Sequence, residues 1–139
     1  MDLCSINILH YGQPKTWYAV PQFYSKNFEE LTQDIWPKEF QECPAFLRHK
    51  NFIMHPSILE NNEIPYFKTE QKEREIILIF AKVYHMGFSH GFNIAESCNW
   101  ANEDWVEFGK NAVICKCKGR NEISRTFPMK QFVKKYGKN

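Results

Sequence analysis

Four side chains in this sequence have the chemistry of soft metal ligands: Cys43, His49, Cys115 and Cys117. Thiolate sulfur and neutral imidazole nitrogen are the donors of structural zinc sites, and three Cys with one His is a standard tetrahedral set. Five residues lie between Cys43 and His49, and one lies between Cys115 and Cys117. The C-x-C pair alone reads more readily as two thiols without a shared partner, and the C-x5-H pair is weaker still. Joined, the four have the right ligand types at an unusual spacing, so both readings stay open on composition. Five cysteines is an odd count, and a pair one residue apart in a soluble chain points to metal ligation rather than a disulfide framework.

A second segment, Tyr84-His85-Met86-Gly87-Phe88-Ser89-His90-Gly91-Phe92-Asn93, carries two more imidazoles. His85 and His90 are an odd number of residues apart, so a continuous strand would face them to opposite sides. They would not share one metal without a bend. From the residues alone, two hydrogen-bonded histidines in a β-rich core is the preferred reading. Gly87 and Gly91 inside strand-like sequence mark a bulge or a close backbone approach.

The elements that must position these groups follow from periodicity. Ser5 to Tyr11 alternates as a strand, Gly12-Gln13-Pro14 is a turn signal and Lys15 to Val20 resumes the strand, so residues 5–20 read as a hairpin. Phe23, Phe28, Leu31 and Ile35 recur at helical spacing, with Ser25 as the expected N-cap and Trp36-Pro37 as the stop. Pro56 to Glu60 reads as a short helix. Glu75 to Phe80 contains Ile-Ile-Leu-Ile-Phe and reads as a buried strand. Tyr84 to Ser97 is strand-like, Asn102 to Lys110 a helix, Val113 to Lys118 a strand and Met129 to Lys135 a terminal helix after Pro128. Nothing suggests an internal linker, a repeat or low complexity.

Bulk composition agrees with an ordered, β-rich chain. The 139 residues suit one domain or a large piece of one. At 43% hydrophobic and 16% aromatic, the chain has enough apolar surface to offset ordering entropy. A net charge of +2 gives nucleic-acid binding no support, and Lys130, Lys134, Lys135 and Lys138 read as a solvated helix face. No stretch reaches the length of a membrane span, and no basic-then-apolar secretory leader opens the chain.

Three stretches together resemble a known family. Ser5-Ile6-Asn7-Ile8-Leu9-His10-Tyr11-Gly12-Gln13-Pro14-Lys15-Thr16-Trp17-Tyr18 is similar to the S-I-N-x-x-H-x-G-x-P-K-x-W-Y segment of Jumonji C (JmjC) histone demethylases. His85 through Ser97 is similar to their H-x-G-F-x-H-G-F-N-x-A-E-S segment. Cys43-Pro44-Ala45-Phe46-Leu47-Arg48-His49-Lys50, with Cys115-Lys116-Cys117, resembles the zinc site of the subfamily acting on trimethylated lysines nine and thirty-six of histone H3. The motifs are long and in the right order. They cover residues 1–118 strongly and the tail, 119–139, more weakly.

The resemblance implies the C-terminal part of a double-stranded β-helix, a mainly β, jelly-roll and cupin-like fold with short inserted helices and a structural zinc site. It implies Fe(II), 2-oxoglutarate and Zn(II) as cofactors, the methylated H3 tail and chromatin as partners, and the nucleus as location. No membrane and no sequence-specific DNA contact are expected. In the family, oxygen is activated at iron, 2-oxoglutarate is decarboxylated, and a hydroxylated methyl group leaves as formaldehyde. By residue, His85 matches the C-terminal iron ligand of the facial triad, which leaves three open positions. Lys15 matches the cation that pairs with the distal carboxylate of 2-oxoglutarate, and Asn7 a polar residue beside it. Lys50, Ser97, Cys98 and Asn99 match the methyl-lysine pocket. Cys43, His49, Cys115 and Cys117 match the zinc ligands. Trp17 reads as packing; His10 and Cys4 carry no assigned role.

Two departures accompany the match. The family's first two iron ligands, in an H-x-E or H-x-D motif, align upstream of Met1, as does a tyrosine that helps hold 2-oxoglutarate. The chain is therefore expected to be a partial JmjC domain, with an exposed sheet edge, a tendency to aggregate and no turnover by itself. Cys98 also replaces a small hydroxyl or methyl residue. The alternative is a catalytically inactive, zinc-stabilised chromatin-interaction module.

Overall fold

Gly12, Gln13 and Pro14 decide the architecture, because the chain turns a corner there rather than folding back. The computed structural model describes residues 2–115 and 117. Strand β1 (Cys4–Gly12) does not pair with β2 (Lys15–Val20), so the expected hairpin over residues 5–20 is corrected. Instead β1 lies antiparallel between β4 (Ile76–Ile79) and β6 (Asn93–Trp100), and β2 lies antiparallel between β3 (Phe67–Gln71) and β5 (Tyr84–Ser89). The bonds at the corner explain this. Pro14 has no N–H to close a tight hairpin. Its carbonyl accepts from His90 N–H at 2.9 Å, and Gln13 N–H donates to the Phe92 carbonyl at 2.9 Å. The β1-to-β2 crossing is thus bonded to the β5-to-β6 crossing. Gly12 has a φ of 100°, and a Cβ there would stand 2.5 Å from the Phe92 oxygen, so only glycine fits. Gly87 serves a similar close approach: an added Cβ would meet the Thr16 carbonyl oxygen of β2 at 2.3 Å.

The two three-stranded antiparallel sheets form a double-stranded β-helix arrangement. Cross-strand register places Ser5, Asn7, Leu9, Ile77, Ile79, Ser97 and Asn99 on one face of the first sheet. Leu9 is wholly buried there and Ile79 nearly so. The opposite face is open: Ile76 and Leu78 are each 52% exposed and Phe80 is 62% exposed. The expectation of a buried strand over Glu75 to Phe80 is therefore corrected. The Ile-rich run has one covered face, with Ile79 on it.

One side chain joins the sheets. Gln71, at the end of β3, is fully buried. Its Oε1 accepts from Trp17 Nε1 at 2.9 Å, and its Nε2 donates to the carbonyls of Asn7 at 3.1 Å and Glu75 at 3.0 Å. Gln71 pairs in register with Lys15. The face of the second sheet that bears Lys15 and Trp17 is therefore turned towards the first sheet.

Helices cover the other face of the second sheet. Helix α1 (Ser25–Ile35) packs Phe28 and Leu31 around Val20, Met54, Leu59 and Ile64. The phenol of Tyr84 donates to Glu29 at 2.8 Å, and burial raises its pKa far above the usual phenol range. Ser25 is not the N-cap. The chain enters through a 3-10 turn, Gln22–Tyr24, so Ser25 already has helical angles and Tyr24 occupies the cap position. Pro37 opens α2 (Pro37–Glu42), where its missing N–H costs nothing. In α3 (Pro56–Asn61) the imidazole of His55 caps the Ser57 N–H. Helix α4 (Trp105–Asn111) buries Trp105 against Cys4 and Ala81.

The strand expected over Val113–Lys118 is not formed at residues 113–115 and 117. The Val113 carbonyl accepts from Arg48 Nε at 2.8 Å, a side chain in place of a ladder partner. The expected terminal helix over Met129–Lys135, the four tail lysines and the 119–139 tail lie outside the described residues. Among the described residues, no helix is long and apolar enough to cross a membrane.

Replacing Gln71 by Leu keeps the volume but strands one indole N–H and two carbonyls. The expected loss of stability is about 2–3 kcal/mol, measured by urea denaturation with zinc present. An unchanged midpoint would contradict the bridging role.

Candidate metal and co-substrate sites

The four Cys and His side chains converge although they come from segments more than sixty residues apart in sequence. Cys43 caps the C-terminal end of α2 in extended conformation, with its N–H bonded to the Glu39 carbonyl at 2.9 Å. Its own carbonyl accepts from Phe46 N–H at 2.8 Å and starts the 3-10 turn Phe46–His49. That turn brings His49 back towards Cys43. Arg48 in the same turn holds the Val113 carbonyl and forms a 2.8 Å ion pair with Asp2, which draws in the segment carrying Cys115 and Cys117. The ligand atoms of Cys43, His49, Cys115 and Cys117 all lie within 4.8 Å of one another. A zinc tetrahedron with sulfur at about 2.3 Å needs ligand separations of about 3.7 Å, so the group needs only a slight adjustment.

The electrostatics suit a cation. Cys43 and Cys115 are buried and the cluster packs on Phe46, Trp36 and Phe52. His49 Nε2 lies 3.2 Å from Cys115 Sγ. The backbone N–H of Cys117, with the His49 contact second, pulls the Cys115 pKa down to about 6. Its interaction with Cys115 in turn pushes the Cys117 thiol up to about 11. One thiolate forms readily and resists a second, and that repulsion is what a divalent cation relieves.

A different environment surrounds His85. Register puts His85 beside Ala19 and Lys15 beside Ser89, so both side chains lie on the face of the second sheet that Gln71 ties to the first. The imidazole Nδ1–H donates to the Val83 carbonyl at 3.1 Å, which leaves the Nε2 lone pair free. Its edge meets solvent, but desolvation lowers its pKa, and the Lys50 cation lowers it further. Both effects favour the neutral imidazole that a metal needs. The Trp17 ring lies 6.0 Å away, centroid to centroid. His90 stands apart, beyond the end of β5, bonded to Thr16 Oγ1 at 2.7 Å. Both histidines are thus hydrogen-bonded, and they do not meet. Among the described residues, the Cys3His set is the one group of three or more clustered metal-capable side chains, and His85 is outside it.

On the facing sheet, Asn7 and Ser97 pair across β1 and β6 with their side chains 2.5 Å apart. The other amide atom of Asn7, its Oδ1, is buried with no partner. The amide can be turned over so that Ser97 O–H donates to Oδ1, which aims the NH2 at the unfilled position. That is a donor placed for a carboxylate. Asn99 shares this face, opposite Ser5, but Cys98 pairs with Ile6 on the other face. Strand alternation therefore sets Ser97 and Asn99 on one face and Cys98 on the other; Cys98 is exposed, with Sγ near its neighbour's carbonyl. Lys50, in left-handed conformation just after His49, approaches His85 closely enough to act on its pKa. Gln71 and Trp17 were not legible as positioning groups in the sequence, because a glutamine ending a polar strand has no pattern to mark it.

Comparison with known proteins places this geometry. The family described as "JmjC domain, hydroxylase" matches residues 1–100. Lysine-specific demethylase 4D of Rattus norvegicus is 45% identical over 134 residues, 96% of this chain and 26% of the relative. Probable lysine-specific demethylase 4F of Homo sapiens is 42% identical over 134 residues, 96% of this chain and 20% of the relative. Lysine-specific demethylase 4B of Mus musculus is 46% identical over 118 residues, 85% of this chain and 11% of the relative. The chain thus spans about a quarter or less of the length of these curated relatives. With a match over residues 1–100 and two antiparallel sheets in a cupin-like arrangement, the chain belongs to the JmjC-domain family.

Proposed function

We propose that this segment forms part of an Fe(II)- and 2-oxoglutarate-dependent histone lysine demethylase that acts in the nucleus on the methylated histone H3 tail. The subfamily resemblance points to trimethylated lysines nine and thirty-six. The observation that carries the reading is the meeting of two sheet faces: His85 with a free Nε2 and Lys15 on one, and Asn7 with an unpartnered buried amide atom on the other. His85 is assigned as an iron ligand. Lys15 and Asn7 are assigned to the carboxylate of 2-oxoglutarate, where a cation and an amide offset its desolvation. Lys50 and the stretch Ser97, Cys98 and Asn99 are assigned to the methyl-lysine pocket. When bound, iron and 2-oxoglutarate would supply the oxidation that converts a lysine methyl group to formaldehyde. The chain's own part is to orient the co-substrate, keep His85 neutral and hold its tautomer. Residues 1–118 are assigned as the core of this unit and 119–139 as its tail.

Cys43, His49, Cys115 and Cys117 are assigned to a structural zinc ion, separate from the iron. Purified protein should contain about one zinc per chain, and Cys115→Ser should lower both zinc content and stability. Zinc near zero, or zinc unaltered in the variant, would count against the site.

Turnover is read as formaldehyde release or loss of methyl mass from a trimethylated H3 peptide. The 139 residues alone, supplied with Fe(II), ascorbate and 2-oxoglutarate, should release none, because one imidazole does not hold Fe(II) in a reactive geometry. The same segment preceded by an H-x-E or H-x-D strand should be active, and His85→Ala there should abolish turnover with zinc content unchanged. Turnover by the short chain would show that the iron site is misplaced. An extended chain that folds, binds both metals and stays inactive would favour the non-catalytic chromatin module.

A further inference from the structure

Lys15 is the first residue of β2, and its pairs with Ser89 and Gln71 are the last of their ladders before the corner. Strand ends fray, because a terminal residue has ladder support on one side only. A lysine that must hold an ammonium group at a fixed depth is poorly served by such a position. The structure supplies a clamp at this point. His90 N–H donates to the carbonyl of Pro14 at 2.9 Å, and its Nε2 bonds to the hydroxyl of Thr16 at 2.7 Å. These are the two residues flanking Lys15. Thr16 is 5% exposed and by strand alternation points to the face opposite Lys15. His90 therefore grips the strand from behind while the Lys15 side chain is on the face turned towards the first sheet. The His90 ring is itself set by Phe88, 5.1 Å away between centroids.

We infer that His90 is a positioning residue for 2-oxoglutarate: by fastening Pro14 and Thr16 it fixes the strand end from which Lys15 reaches the co-substrate carboxylate. This rests on the assignment of Lys15 to that carboxylate. His90 touches neither co-substrate nor metal, so its effect passes wholly through Lys15. Loss of either bond partner should loosen the same strand end, and loss of both should cost no more than loss of one.

The test is the dissociation constant of 2-oxoglutarate for the zinc-loaded chain, from ligand-observed NMR titration, with thermal midpoint and zinc content recorded for each variant. His90→Ala and Thr16→Val remove the bond from opposite ends, and the second keeps the side-chain shape should the first fold poorly. Each should weaken binding by about five- to ten-fold, the scale of one well-placed hydrogen bond. The double variant should be no weaker than either single one. In a Lys15→Ala background, His90→Ala should have no further effect, which a merely structural role would not produce. If Lys15→Ala leaves binding unchanged, or the wild-type chain does not bind, the co-substrate assignment falls and this inference with it. If Lys15→Ala weakens binding while His90→Ala and Thr16→Val lower only the thermal midpoint, the assignment of Lys15 stands and the positioning role is overturned.

Discussion

The arrangement depends on a buried amide. Gln71 uses its carbonyl oxygen for the indole of Trp17 and its nitrogen for two main-chain carbonyls, one in β1 and one in the loop before β4. An amide with no solvent has to satisfy its polar atoms within the protein, and here both are engaged. The consequence is geometric. The bond to the Asn7 carbonyl fixes the depth of β1 relative to β2. The indole bond fixes Trp17, which in turn stands against His85. Lys15, Asn7 and His85 come from three strands in two sheets, and apolar packing alone would let those sheets slide. Directional hydrogen bonds to a single side chain do not.

The two candidate metal environments differ in the way their chemistry would require. Three thiols and one imidazole form a closed set against an aromatic wall, with no position left for a reacting ligand. His85 is a lone, open imidazole that lines a largely apolar cavity with Phe28, Trp36, Phe52 and Met54. The 3-10 turn Phe46–His49 connects them: His49 belongs to the first, and Lys50, the next residue, acts on His85. The turn that assembles the Cys3His cluster therefore also sets where a cation stands beside the second site.

Much of this was legible in the sequence, but unevenly. The strand spans of β1 and β2, the helices α1, α3 and α4 and the close backbone approach at Gly87 follow from local pattern. The pairing of β1 does not. Gly12-Gln13-Pro14 is as good a signal for a corner as for a hairpin, and the difference lies in bonds to Phe92 and His90, some eighty residues on. Strand β3 escaped notice because Lys68, Thr69 and Glu70 are exposed and Phe67 is too, leaving no alternation to read. The Ile-rich strand β4 misled in the opposite sense, since an apolar run does not say how many of its faces are covered. The four candidate metal ligands stood out by residue type with both readings open, whereas their convergence shows in the bond of Arg48, itself paired with Asp2, to Val113.

Charge balance links these observations. Two cations bear on this region: Lys50 acts on the His85 imidazole and Lys15 lies on the same sheet face, while Asn7 on the facing sheet offers an amide. Desolvation lowers the pKa of the His85 imidazole, and repulsion from the Lys50 cation lowers it further. A divalent metal at Nε2 would face the same repulsion unless anionic oxygen arrived with it. A dicarboxylate answers both needs. One end would compensate the metal, and the other would meet Lys15 and the amide of Asn7. On this reading the co-substrate is not a passenger of a preformed metal site. It would be the counter-charge to a metal at His85, and the two would stabilise each other by the ordinary reciprocity of linked binding.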